Sequence, residues 1–171
     1  MTKAAMKTAT QKIVVEDVLP HAPETIWKTL TTGELIGRWL LMKPNGFEAV
    51  KGDRFTFKTT RAVLWNGVIH CEVLEVTRNK SLAYSWQGGH ESNAHEYGSL
   101  LDTIVTWTLV KVGGGTRLRL AHSGFVTPKN DPAFWNMSNG WRKAVGRISA
   151  ISGEQRDRAP VGAAGVETSQ G

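Results

Sequence analysis

The chain has 171 residues, of which 40% are hydrophobic and 21% charged, with a formal net charge of +6; this describes one ordinary globular domain, long enough to bury a core. No apolar run nears the ~18 residues of a membrane span, residues 1–8 hold no apolar h-region of a secretory signal, and the lone Cys71 excludes an internal disulfide, so a reduced, cytoplasmic setting is expected. The positive charges are dispersed along the chain without a long like-charge block, which argues for solubility and against a nucleic-acid partner.

Residues 1–11 are small and polar and read as a flexible N-terminal arm. Ile13 to Leu19 is rich in β-branched side chains and reads as a first strand, ended by Pro20. Pro23 suits the first turn of a helix, where its missing N–H costs nothing, and Ile26, Trp27 and Leu30 share one face of that helix. Thr31-Thr32-Gly33-Glu34 fits a capping box, with a threonine oxygen on an orphan backbone N–H and the glutamate reaching back. A second short helix then carries Leu35, Ile36, Trp39 and Leu40 at helical spacing.

Strands with turn signals between them come next. Arg54 to Lys58 alternates, with Phe55 and Phe57 on one face. The stretch from Gly67 to Val76 is strand-like but ambiguous in phase. Leu82, Tyr84 and Trp86 share one side of the strand after Asn79-Lys80. Leu101, Thr103, Val105, Trp107 and Leu109 line one face of a longer strand. Gly113-Gly114-Gly115 makes the tight turn into a return strand, where Leu118, Leu120 and His122 point in and Arg117 and Arg119 point out. One buried face per strand is the habit of antiparallel sheets.

Asp131-Pro132 opens the last helix as N-cap and first helical residue. Phe134, Met137, Trp141, Ala144, Val145, Ile148 and Ile151 then recur at three- and four-residue steps, with Gly153 as the stop. Its apolar stripe needs a partner, and the concave face of the sheet is the surface large enough. The expected fold is α+β, a helix-grip arrangement over 12–152: two short helices after the first strand, and a curved antiparallel β-sheet wrapped around the long C-terminal helix. Residues 153–171 hold almost no large apolar side chain to offset ordering entropy, so a disordered tail is expected.

Several motifs in this order resemble the SRPBCC (START-like, birch-pollen-allergen-like) superfamily. They are Ala22-Pro23-Glu24 with Ile26-Trp27 and Trp39, Gly52-Asp53 with Phe55, Leu82 with Tyr84 and Trp86, Gly114-Gly115-Thr116-Arg117-Leu118, His122-Ser123-Gly124-Phe125, and Gly140-Trp141. Within it the chain is similar to the branch of the C-terminal domain of the activator of heat-shock-protein-90 ATPase. The resemblance covers about 12–152. It implies a deep apolar pocket, and functions that range from binding lipids, hormones or polyketides, in some members under stress, to cyclase and hydrolase chemistry and chaperone activation. The branch often carries leucines after Gly-Trp; Val145 and Ile148 here imply a different cavity shape.

Seven tryptophans are generous for this length. Trp39, Phe55, Phe57, Tyr84 and Trp86 from the first half, and Trp107, Leu120, Phe125, Trp141 and Val145 from the second, are candidates for the walls of a ligand pocket, with Trp135 as a further aromatic. Taken singly, each is accounted for by ordinary core burial; as a set, in this fold, they point to a partial cavity. His122, His70 and Tyr84 are candidate polar groups; His122 could donate to a ligand oxygen or shuttle a proton, or be a core histidine satisfied by a backbone carbonyl. His90 and His95 are five apart in a loop, poor spacing for zinc, and Cys71 lacks a thiolate-activating context. No phosphate-binding or dinucleotide motif is present, so neither metal nor cofactor is expected. The expected function is binding of a small apolar or amphipathic ligand between sheet and C-terminal helix, gated by the loop Gly88 to Gly98 and the helix around Trp39. The alternatives are a chaperone-interacting module acting through Arg117, Arg119 or the closing helix, and an enzyme using His122 or Tyr84 as acid/base. A homodimer through an exposed edge strand could accompany any of them.

Overall fold

The structure is a computed structural model that describes residues 9–170, with the side chains of 9–155. The arm at 1–8 lies outside the described residues, as do the side chains of the tail beyond 155. The elements run β1 (Thr10–Leu19), α1 (Pro23–Thr31), α2 (Gly33–Leu40), β2 (Arg54–Lys58), β3 (Val68–Thr77), β4 (Ser81–Gly88), β5 (Leu101–Val112), β6 (Gly115–Val126) and α3 (Asp131–Gln170). The strands make one antiparallel sheet in the order β1-β6-β5-β4-β3-β2. One side of it closes on α3, and α1 and α2 pack on α3 as well. This is the α+β helix-grip fold. Among the described residues no helix is long and apolar enough to cross a membrane.

Alternation along the strands decides which side chains meet α3. In β5, Thr103, Val105, Trp107 and Leu109 are buried, and in β6 Leu118, Leu120 and His122 lie opposite α3's Trp141, Ala144, Val145, Ile148 and Ile151 in one core. The ambiguous phase of β3 has a physical cause. Ile69, Cys71 and Val73 are buried, then the pairing with β4 shifts between Val73 and Glu75. The irregularity turns the strand over, so Val76 packs against the core on what would otherwise be the outer side.

Four local expectations need correction. The capping box is not formed: Thr32 is the N-cap of α2 without a side-chain hydrogen bond, the Thr31 hydroxyl donates to the Trp27 carbonyl at 2.7 Å, and Glu34 turns to Lys43 at 3.2 Å. Thr10 and Gln11 belong to β1, paired with Val126 and Phe125, because β6 offers a ladder that the arm's composition alone does not reveal. Helix α3 begins at Asp131 itself, with the Asn130 carbonyl accepting from Phe134 N at 2.9 Å. Nor does α3 stop at Gly153. A helical glycine costs about 1 kcal/mol, and tertiary contacts flank this one: Thr29 and Ser152 hydroxyls meet at 2.9 Å, and Arg38 holds Glu154 in a two-pronged pair at 3.0 Å.

Candidate functional site

The hollow between sheet and α3 is filled with rings. Trp39 meets Trp107 at 5.5 Å, Trp107 meets Trp141 at 5.7 Å, Trp141 meets Trp86 at 5.8 Å, and Trp86 meets Phe57 at 5.4 Å. Phe57 contacts Phe55, and Phe55 contacts Tyr84, most of these pairs edge to face. Two of these indole N–H groups are engaged within the stack as well: Trp39 donates to the Thr29 carbonyl at 2.9 Å and Trp107 to the Tyr84 hydroxyl at 3.1 Å. Burial pushes the Tyr84 phenol and the Cys71 thiol up, away from ionisation.

His122 sits inside this stack with no exposed surface. The Thr103 hydroxyl donates to the Trp86 carbonyl at 2.8 Å and therefore accepts from His122 Nε2–H, also at 2.8 Å. Nδ1 then accepts from Trp141 Nε1–H at 3.0 Å. Both nitrogens are used, the tautomer is fixed, and burial holds the imidazole neutral with a pKa of about 3. His122 is a core histidine whose partners are a side-chain hydroxyl and an indole.

Open space lies at one end of the sheet, beside the start of α3. A pocket of about 380 Å³ has Ile69, Trp86 and Leu101 at its base, and Pro132, Ala133, Asn136 and Met137 of α3 along one side. Met42, after α2, and Thr59 and Trp65, between β2 and β3, form another side, and Gly88, Gly89, Tyr97, Gly98 and Ser99 complete it. A smaller void of about 100 Å³ lies between Leu40, Trp141, Ala144 and Arg147, and shares Met42, Trp86 and Met137 with the first.

Hydrogen bonds stitch the loops around this mouth. Trp65 Nε1 donates to the Val68 carbonyl at 3.1 Å, Asn93 Nδ2 to the Val63 carbonyl, and the Tyr97 hydroxyl to the Thr60 carbonyl. Asn130, 1% exposed, ties three segments: its Nδ2 donates to Ser99 Oγ and the Leu100 carbonyl, each at 2.9 Å, and its Oδ1 accepts from Val126 N at 2.9 Å. Gly89 has φ +94°, and a Cβ there would stand 2.1 Å from the Ser99 carbonyl oxygen, so only glycine lets the two ends of this loop meet.

Of the expected site residues, only Trp86 lines the larger pocket, and Trp86 and Trp141 line the smaller. Trp39, Phe55, Phe57, Tyr84, Trp107, Leu120, His122, Phe125 and Val145 are brought together, but as contacting core. Trp39 cannot serve as a gate, being 1% exposed and hydrogen-bonded; the lining residue next to α2 is Met42. Trp135 is 64% exposed and lines neither void. His70 lies on the outer face, in a polar depression with Glu72 and Gln87. His90 Nδ1 accepts from Ser92 N at 3.0 Å. Trp65 and Tyr97 escaped the sequence reading because strand periodicity does not reach loops. A large aromatic in a polar loop was the available signal, since such a ring needs a partner; here the two rings lie 6.1 Å apart.

A family model described as Activator of Hsp90 ATPase homolog 1-like protein matches residues 20–153. Among solved structures, protein MLL2253 from Mesorhizobium loti is similar at 35% identity, with a TM-score of 0.71 over 82% of this chain and 96% of that one. Protein BH1534 from Bacillus halodurans is similar at 20% identity, TM-score 0.65, over 85% of this chain and 99% of that one. The Aha1 dimer from Colwellia psychrerythraea is similar at 19% identity, TM-score 0.63, over 81% of this chain and 93% of that one. The last two speak to the fold alone. No curated protein matches the sequence.

Proposed function

This chain belongs to the Activator of Hsp90 ATPase homolog 1-like family, and from that premise we propose that it binds a small apolar or amphipathic molecule in the pocket at the start of α3. The observation that carries the reading is the contrast in filling: rings close the interior, while about 380 Å³ stays open at the mouth, walled by Trp65, Trp86, Met42 and Met137. Apolar walls with a few convergent polar groups suit a small-molecule site. The ligand would bury its surface against these rings and thioethers, and the Thr59 hydroxyl or the Asn136 amide would orient it. Titrating the full chain with an apolar ligand panel while following tryptophan fluorescence tests this. A saturable change at micromolar ligand, about 8 kcal/mol of binding, is the expected result; no saturable change with any aromatic or aliphatic member would overturn it.

A second reading, contact with a chaperone or a second copy, draws on the outer face of the sheet. There Val14, Val18, Ile104 and Val110 are exposed, and Arg117 pairs in register between Val18 and Val110. Pull-down with the chaperone followed by an ATPase assay tests it. Loss of any stimulation in Arg117→Glu would support it, and no stimulation by the unaltered chain would remove it.

A further inference from the structure

No acidic or basic side chain lines the larger pocket; its polar side chains are Thr59, Tyr97, Ser99 and Asn136. A carboxylate or ammonium placed there would lose water and meet no opposite charge, a far greater cost than a neutral polar group bears. The indoles supply a second observation. Trp39, Trp65, Trp107 and Trp141 each give their N–H to an acceptor: the Thr29 carbonyl, the Val68 carbonyl, the Tyr84 hydroxyl and His122 Nδ1. Trp86 is 2% exposed, stands on the wall of both voids, and its N–H has no acceptor among the described residues. That N–H is not sealed from solvent, so a ligand oxygen entering the pocket can take the place of water on it.

Shape narrows the class further. Behind Trp86 stand Phe57 and Trp141, in ring contact with it at 5.4 and 5.8 Å, so no straight channel leads on for a long alkyl chain. Met42 and Met137 separate the pocket from the void of about 100 Å³. Thioether side chains rotate readily and suit ring edges, so they would close around a short, wide ligand held in the larger pocket. We propose that the ligand is an uncharged aromatic compound with a hydrogen-bond acceptor, such as a carbonyl oxygen, that takes the Trp86 indole N–H. This rests on the reading of the pocket as a ligand site.

Calorimetric titration of the full chain with four probes tests it: 2-acetylnaphthalene, 2-ethylnaphthalene, 2-naphthoate and nonan-2-one. The ketone of the aromatic pair should bind about fivefold or more tighter than the ethyl compound, the worth of one hydrogen bond. It should bind about tenfold or more tighter than the carboxylate, which must shed its hydration, and should also outbind nonan-2-one. Trp86→Phe should bring the ketone-to-ethyl ratio to about one. Asn136→Lys, at an exposed rim position, should shift the naphthoate-to-ketone ratio toward naphthoate. Should Trp86→Phe not fold, the Trp86 indole proton signal of the unaltered chain decides the same point, moving with the ketone and not with the ethyl compound. Naphthoate binding as tightly as the ketone, or a ketone no better than the ethyl compound, overturns the ligand class and leaves the pocket reading standing. Absence of saturable binding by all four probes overturns both.

Discussion

Two ends of the same helix present opposite solutions to one problem. Along its middle, α3 sets Trp141, Val145 and Ile148 against sheet residues that fill the hollow, and every one of them is at most 3% exposed. At its start, Pro132, Ala133, Asn136 and Met137 face a space that neighbouring loops frame and do not fill. Helical spacing is continuous through both, so periodicity gives no hint of the change. The difference lies in what stands opposite: long regular strands carrying indoles in one case, glycine-rich loops in the other. A packed interior supplies rigidity, and the mouth inherits a fixed floor, Trp86, that belongs to both regions.

The largest effect should come from emptying the packed region. Trp107→Ala removes a fully buried ring and the donor to Tyr84, and should cost about 3–5 kcal/mol in denaturant unfolding. A loss below about 1 kcal/mol would mean that the interior already holds slack, and the contrast would fail.

Protonation probes the same region. Folded His122 has a pKa of about 3, held down by burial, against about 6.5 in an unfolded chain. Between those values the unfolded chain takes up a proton that the folded chain refuses. The stabilisation is therefore complete above pH 6.5 and declines as pH falls toward 3, by about 1.4 kcal/mol per pH unit once well below 6.5. His122→Gln should reduce the slope of stability against pH between 6.5 and 5, and equal slopes would place the imidazole in contact with water.

At the mouth, Asn130→Ala should cost about 1–3 kcal/mol, because Val126 N loses its buried acceptor. It should weaken ligand binding as well, since Ser99 and Leu100 lose their tie to α3. Trp65→Leu should weaken binding about tenfold, roughly the worth of one ring's packing at a contact of this kind, with a smaller loss of stability than Trp107→Ala. Equal stability losses from the two tryptophans would erase the distinction between the regions. The smallest effect is expected at Leu41, held at φ +66° and 69% exposed after α2. Leu41→Gly should gain about 0.5 kcal/mol as the left-handed strain is relieved, seen as a small rise in Tm.

Much of the fold was legible because alternation reports direction. Leu82, Tyr84 and Trp86, or Thr103, Val105 and Trp107, point inward as their phase requires. Direction does not report vacancy: whether a side chain faces space or another ring depends on summed volumes across strands far apart in sequence, and so the inward phase of Trp39, Phe55 and Trp107 suits a pocket wall and a filling ring alike. The mouth was less legible still. Met42, Trp65 and Tyr97 lie in irregular segments placed by long-range bonds such as Asn93 to Val63 and Asn130 to Ser99, and such pairings leave no periodic trace. The ends of α3 and β1 escaped for the same reason, since a partner segment decides them and not their own composition.

The central claim, that the packed interior stays shut while the mouth takes the ligand, is tested most directly by following the tryptophan indole proton signals by NMR during titration with 2-acetylnaphthalene. The account expects the Trp65 and Trp86 signals to move along saturable curves while those of Trp39 and Trp107 hold still. Movement of Trp39 and Trp107 with Trp65 unchanged would contradict it, because the ligand would then lie among rings that leave it no room.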